Sequence, residues 1–198
     1  MDQTINRRSL RSVFSSLPLI ALDPIPSVMI TGVTSDSRHV HKGYAFVAIK
    51  GESSDGFTFI PSAVANGARV IFGDRPKPDG LAIPYVQLQG DLRFALAYMA
   101  ASFHRFPARK LRMIGVTGTD GKTSTSMLIH HLLTKAGINA GMISTVNALI
   151  GDQELDTGFH VTTPDSPDIQ AYLAQMVAAG ITHCVLETTS HGLAQGRV

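Results

Sequence analysis

The chain has 198 residues, 44% of them hydrophobic, and a formal net charge of only +2. This length holds one large or two small domains, and that much apolar material builds a core, which excludes global disorder. The 17 basic residues are scattered rather than striped, so a sequence pI of about 8.8 gives no support for a nucleic-acid face. The single cysteine, Cys184, excludes an internal disulfide and a site of several thiolates. Set within Ile181-Thr182-His183-Cys184-Val185-Leu186, it reads as a buried, inert thiol.

At the N-terminus, Arg7, Arg8 and Arg11 precede the apolar run Leu17 to Leu22, which Asp23 and Pro24 interrupt. That run is too short for a signal-peptide core, and no segment approaches the ~20 apolar residues that span a bilayer. The expectation is a soluble, cytoplasmic protein with no membrane association. Strands are predicted at Tyr44 to Ile49, Arg69 to Phe72 and Ile83 to Leu88, with a short helix at Thr58 to Asn66 that Gly67 stops. Asp91 to His104 places Leu92, Ala95, Leu96, Met99 and Phe103 at helical spacing. Pro107 ends that helix, and the polar Ala108-Arg109-Lys110 marks a boundary between domains 1–107 and 108–198.

The second part alternates strand and helix. Leu111 to Thr117 reads as a strand, and Thr123 to Lys135 as a helix closed by Gly137. Met127, Leu128, Ile129, Leu132 and Leu133 cover much of its circumference, so burial on more than one side is expected. Ile138 to Ser144 follows as a strand, then a long turn-rich section. The next helix has Ser166 as its cap, Pro167 in its first position and Asp168 at the positive end of its dipole. Ile169, Leu173, Met176 and Val177 form its buried stripe, Gly180 closes it, and Ile181 to Leu186 is a strand. This βαβαβ order implies an α/β fold with a mainly parallel sheet.

Between the first strand and helix of this unit lies Gly118-Thr119-Asp120-Gly121-Lys122-Thr123-Ser124. Glycines let successive backbone N–H groups curl around a triphosphate, and the helix start adds positive potential. Lys122 would reach the outer phosphates, and the Thr123 hydroxyl would coordinate magnesium. The general phosphate-loop pattern wants glycine at position 116, where this chain has Val116. The competing reading is a glycine turn with a solvated lysine; the flanking strand and helix favour ATP binding. Glu187 ends the third strand, where carboxyl ends of parallel strands line the ligand crevice. It could hold the magnesium, or serve only as a capping or surface carboxylate.

Together these residues resemble the Mur ligases, ATP-dependent enzymes that add amino acids to the peptide stem of peptidoglycan precursors. The central pattern stands here as Gly115-Val116-Thr117-Gly118-Thr119-Asp120-Gly121-Lys122-Thr123. Three further segments resemble the branch that adds the third residue (MurE type). The first is Thr34-Ser35-Asp36-Ser37-Arg38 with Gly43 to Ala48 and Gly51 to Gly56, similar to a nucleotide-sugar-binding domain. The second is Thr162-Thr163-Pro164. The third is Glu187-Thr188-Thr189-Ser190-His191-Gly192-Leu193-Ala194-Gln195-Gly196-Arg197-Val198, nearly that branch's E-x-S-S-H-G-L-x-Q-x-R-V signature. Two positions depart from the family: Asp120 stands where asparagine is usual, and Thr189 where serine is usual.

The resemblance implies a small N-terminal α/β UDP-binding domain followed by a truncated P-loop central domain with a mainly parallel sheet. It implies that Ser37, Glu52, Ser53 and Ser54 contact the UDP portion. Thr162, Thr163, Thr189, Gln195 and Arg197 would contact the muramoyl peptide. Lys122 and Glu187 would be catalytic, with Thr123 and Glu187 on magnesium. The implied substrates are ATP, UDP-MurNAc-L-Ala-D-Glu and an amino acid, diaminopimelate or lysine, with no obligate protein partner. ATP would phosphorylate the D-glutamate carboxylate, and an amine would displace phosphate from the acyl phosphate. His191 is given an orienting role, because the family's magnesium-linked histidine lies beyond this stretch. The family has three domains, and this sequence corresponds to the first and part of the second. The modified lysine and the C-terminal domain of the family are not in it, so the polypeptide alone is expected to make no peptide bond and to leave apolar sheet surface open. The alternatives are another ligase of the superfamily (dipeptide-adding or folylpolyglutamate synthetase) or a non-catalytic nucleotide-binding module.

Overall fold

The computed structural model describes residues 6–15, 17, 20–51, 54–156 and 164–198. The chain divides into two compact units, Met1–Phe103 and His104–Val198.

The first unit contains β1 (Arg8–Ser9), α1 (Leu10–Phe14), β2 (Ile20–Ala21), β3 (Met29–Ile30), β4 (Gly32–Thr34), β5 (Tyr44–Val47), α2 (Ile60–Ala65), β6 (Val70–Gly73), β7 (Tyr85–Gln89) and α3 (Leu92–Phe103). Its main sheet has the order β2-β7-β6-β5-β4, parallel except where β2 meets β7. Side chains of a strand alternate between faces, and here that alternation divides the apolar residues into two cores. Ala45, Val47, Val70, Phe72, Val86 and Leu88 face α1 and α3 residues such as Leu10, Val13, Leu96 and Met99. Phe46, Ile71 and Tyr85 face Ile60 and Ala63 of α2 on the other side.

Helix α3 ends at Phe103, four residues ahead of Pro107. Arg105 and Phe106 turn the chain at φ 62° and 52°, and Pro107 opens a 3-10 turn to Lys110 that packs with the second unit. The unit division therefore falls before that turn rather than after Pro107.

The second unit contains β8 (Arg112–Val116), α4 (Lys122–Lys135), β9 (Ala140–Ile143), β10 (Asn147–Ile150), β11 (Gln153–Asp156), α5 (Ser166–Ala178), β12 (His183–Glu187) and α6 (Ser190–Ala194). The sheet order is β11-β10-β9-β12-β8, with β12 parallel to both β9 and β8. The section read as turns holds a hairpin: β10 and β11 pair antiparallel across Gly151-Asp152, with Gly151 at φ 60° as a two-residue turn requires. The cap of α5 is Asp165, not Ser166; Asp165 has the extended backbone of a cap, while Ser166 is already helical and buried.

Alternation again makes two cores. Ile143, Ala148, Ile150 and Cys184 face Ile169, Leu173 and Met176 of α5. Val116, Met142 and Val185 face Ile129 and Leu133 of α4. Helix α4 is buried on one side only, which corrects the expectation of burial on several. Ser126, Ile129 and Leu133 share the sheet-facing stripe, whereas Met127, Leu128 and Leu132 are exposed, with no described element over them. Strand β8 is an edge of the sheet, with Met113 exposed.

Two outcomes follow from this packing. Leu173 is 1% exposed, so Leu173→Ala should destabilise the second unit by about 2–5 kcal/mol, read from urea unfolding by circular dichroism. Burial pushes the Cys184 thiol up to about 12, leaving it neutral at ordinary pH. A thiol reagent at pH 8 should label unfolded chain quickly and folded chain hardly at all; equal rates would contradict this placement.

Candidate functional site

The parallel register of β8 and β12 sets Val116 opposite Glu187, and the Thr188 N–H donates to the Val116 carbonyl at 2.9 Å. The loop leaving β8 and the carboxylate ending β12 therefore meet at one edge of the sheet. Along β12, Cys184 faces α5 and Val185 faces α4, so Glu187, two residues on, turns to the α4 side. Its burial is nearly complete, at 1% exposure.

The loop reaches α4 through Gly118 at φ 155° and Gly121 at φ 73°, the latter at the N-cap of the helix. A Cβ on Gly121 would meet nothing within 4 Å, so the backbone conformation, not space, demands glycine there. Lys122 Nζ donates to the Gly118 and Thr119 carbonyls, both at 3.0 Å. The Thr123 hydroxyl donates to Glu187 Oε1 at 3.0 Å. Thr145, in the turn from β9 to β10, donates its hydroxyl to the same oxygen at 2.9 Å and its N–H to Oε2 at 3.2 Å. Residues 119–124, Thr145 and Glu187 line a cavity of about 290 Å³. Asp120 is an exposed residue of that lining, and Ser124 sits in the first turn of α4.

This arrangement offers a cation, hydroxyl donors and a helix start to an anion, with one carboxylate beside them. Magnesium takes oxygen ligands, commonly one or two carboxylates together with substrate phosphates. The Thr123 hydroxyl and Glu187 carboxylate suit that demand. Thr145 escaped sequence reasoning; its position at the carboxyl end of β9 was the signal that could have found it.

A second group of predicted residues lies after β12. Thr189 caps α6, accepting from the Gly192 N–H at 2.9 Å. Gln195 Nε2 lies 2.6 Å from His191 Nε2, and Arg197 Nε donates to Gln195 Oε1 at 3.0 Å. The same Arg197 nitrogen is 3.5 Å from Asp165 Oδ1, at the cap of α5. Gln195 and Arg197 are thus brought together with His191 and Asp165, while Thr189 caps the start of α6.

In the first unit, Ser37 is buried in a 3-10 turn, and its carbonyl accepts from Asn66 Nδ2 at 2.8 Å. Asp36 caps that turn, and its hydrogen bonds from the Arg38 side chain hold its carboxyl below the usual value. Ser54 lies in a folded-back loop, its carbonyl accepting from the Gly51 N–H at 2.8 Å. Gly56 closes the loop where a Cβ would fall 2.5 Å from the Ile49 carbonyl oxygen. Glu52, Ser53, Thr162 and Thr163 lie outside the described residues.

Two family patterns match the chain: the Mur ligase middle domain over residues 116–198, and the Mur ligase family catalytic domain over residues 29–104. The chain belongs to the Mur ligase family. It is 43% identical over 189 residues to a UDP-N-acetylmuramyl-tripeptide synthetase of Deinococcus radiodurans, covering 92% of this chain and 37% of that protein. It is 36% identical over 190 residues to a UDP-N-acetylmuramoyl-L-alanyl-D-glutamate--2,6-diaminopimelate ligase of Cytophaga hutchinsonii, covering 96% of this chain and 39% of that one. A solved structure of a ligase with the latter name superposes at a TM-score of 0.74 with 29% identity, over 96% of this chain and 37% of that chain. The chain thus spans well under half the length of the relatives it matches.

The loop geometry is testable without any ligand. Gly121→Ala places a side chain at positive φ and should cost about 1–2 kcal/mol in urea unfolding. Gly115→Ala, on open strand surface with ordinary φ, should stay within about 0.5 kcal/mol. Equal stabilities for the two would show that residue 121 does not need the left-handed conformation.

Proposed function

We propose that this chain supplies the sugar-nucleotide and ATP sites of a ligase that adds the third stem-peptide amino acid to UDP-MurNAc-L-Ala-D-Glu. The observation that carries it is the meeting of Lys122, Thr123 and the buried Glu187 around one cavity between β8 and α4. The sequence likeness to proteins named tripeptide synthetase and diaminopimelate ligase supports the choice of branch.

In this reading the loop N–H groups of residues 118–123 and the start of α4 hold the triphosphate. Lys122 exchanges its two loop carbonyls for phosphate oxygens, a gain because those oxygens are anionic. Thr123 and Glu187 hold magnesium, which, when bound, supplies positive charge to the phosphate oxygens. Catalysis of phosphoryl transfer to the D-glutamate carboxylate is then mostly positioning and charge neutralisation by the chain. An incoming amine, from diaminopimelate or lysine, displaces the phosphate and forms the amide.

Ser37, Glu52, Ser53 and Ser54 are assigned to the UDP portion, and Thr162, Thr163, Thr189, Gln195 and Arg197 to the muramoyl peptide. Arg197, already beside Gln195 and Asp165, suits a carboxylate or phosphate because its fork donates two parallel bonds. His191 of α6, within hydrogen-bond distance of Gln195 at the end of that helix, is assigned an orienting part.

Calorimetry on the purified chain tests the reading. It should bind both ATP–magnesium and UDP-MurNAc-L-Ala-D-Glu. Lys122→Ala should weaken ATP–magnesium by about 10- to 100-fold, as expected for losing hydrogen bonds from a charged group. The same change should leave sugar-nucleotide affinity intact. A chain that binds ATP but ignores the sugar nucleotide would instead be a general nucleotide-binding module.

A further inference from the structure

We infer that Thr145 is a positioning residue for the Glu187 carboxylate, held in place by the turn that joins β9 to β10. The inference rests on the proposed ATP–magnesium reading of the loop.

A carboxylate that serves a metal ion must present one oxygen in a fixed direction. The Thr123 hydroxyl touches only Oε1, and in the proposed site that same hydroxyl also faces the ion. Thr145 grips both oxygens instead, its hydroxyl on Oε1 at 2.9 Å and its backbone N–H on Oε2 at 3.2 Å. Two donors from one residue, one to each oxygen, restrain both the place of the carboxylate and its rotation. Hydrogen bonds to an anionic group are also stronger than neutral ones, so this grip resists displacement.

The clamp is itself braced. Ile143 of β9 pairs with Ala148 of β10, so residues 144–147 form a short closed turn. The Ser144 N–H donates to the Asn147 carbonyl at 2.9 Å, and the fully buried Ser144 hydroxyl lies 3.1 Å from the same carbonyl. That hydroxyl also accepts from the Val146 and Asn147 N–H groups, each at 3.3 Å. The Asn147 side-chain amide donates to Glu154 on β11. Hydrogen bonds thus brace the turn on both sides of Thr145, whose own bonds reach Glu187, the carboxylate that Thr123 also meets. Residues that orient a metal's ligands commonly change affinity by about 10- to 100-fold when altered.

The test compares wild type with Thr145→Val, which keeps the shape and the N–H but removes the hydroxyl, and with Thr145→Ser, which restores it. Calorimetry would measure ATP affinity without metal and with saturating magnesium, and melting would be followed without nucleotide. In wild type, magnesium should tighten ATP binding. Thr145→Val should reduce that tightening by about 10-fold while leaving metal-free ATP binding unchanged, and Thr145→Ser should recover it. Full tightening in Thr145→Val overturns the inference. So does a loss of melting temperature and of metal-free ATP binding together without recovery in the serine variant, which marks a merely structural turn residue. Wild type that gains nothing from magnesium sinks the magnesium reading itself, and is distinguishable because it needs no variant.

Discussion

The site depends on one constraint: the parallel register that sets Val116 beside Glu187. A strand presents alternate residues to opposite faces, so a slip of one position would turn Glu187 into the core formed with α5. There the carboxylate would lie among Ile169, Leu173 and Met176 rather than against Thr123. The apolar pattern of β12 prevents the slip, because Cys184 and Val185 each fill a different core and cannot exchange without two packing losses. Hydrophobic burial in the middle of the strand thereby aims a charge at its end.

That charge is expensive to bury. A carboxylate at 1% exposure has lost most of its water, and three hydrogen bonds from Thr123 and Thr145 replace part of it. An apolar residue of similar volume would often be as stable or more so at such a position. A site that keeps the carboxylate, surrounds it with donors and leaves a cavity beside it follows the logic of a binding centre rather than of a core. The lysine shows the same feature from the other side. Lys122 rests on two carbonyls of its own loop, weak partners that an anionic ligand can outbid.

Features encoded locally were legible in the sequence. The glycine loop, the strand before it and the helix after it need only neighbours a few residues away, and the stripe of Leu92, Ala95, Leu96, Met99 and Phe103 is buried in α3 as its spacing implied. Features that depend on distant partners were not. Helix periodicity shows which residues of α4 are apolar but not what covers them, so it overstates the burial of Met127, Leu128 and Leu132. The β10–β11 hairpin is polar at Asn147, Gln153 and Glu154, which masks the alternation that betrays a strand. Thr145 reaches Glu187 across 42 positions of sequence; its place just after β9 points to the crevice, but the contact itself leaves no local mark.

The two departures from the family pattern carry different weight once their surroundings are known. Thr189 stands where serine is usual, and it caps α6 by accepting from Gly192. A cap needs only a side-chain oxygen on a residue with extended backbone, and Thr189 has both, at φ −98° and ψ 157°. Its hydroxyl has donor as well as acceptor capacity, so capping does not conflict with the proposed substrate contact. Asp120 is different, because it lines the cavity that the phosphates are proposed to enter. Its exposure matters here: an exposed carboxylate keeps its water, and screening weakens its repulsion of a neighbouring anion. The loop can therefore carry an acid at this position, provided that Lys122 and the start of α4 meet the phosphates from the inner side.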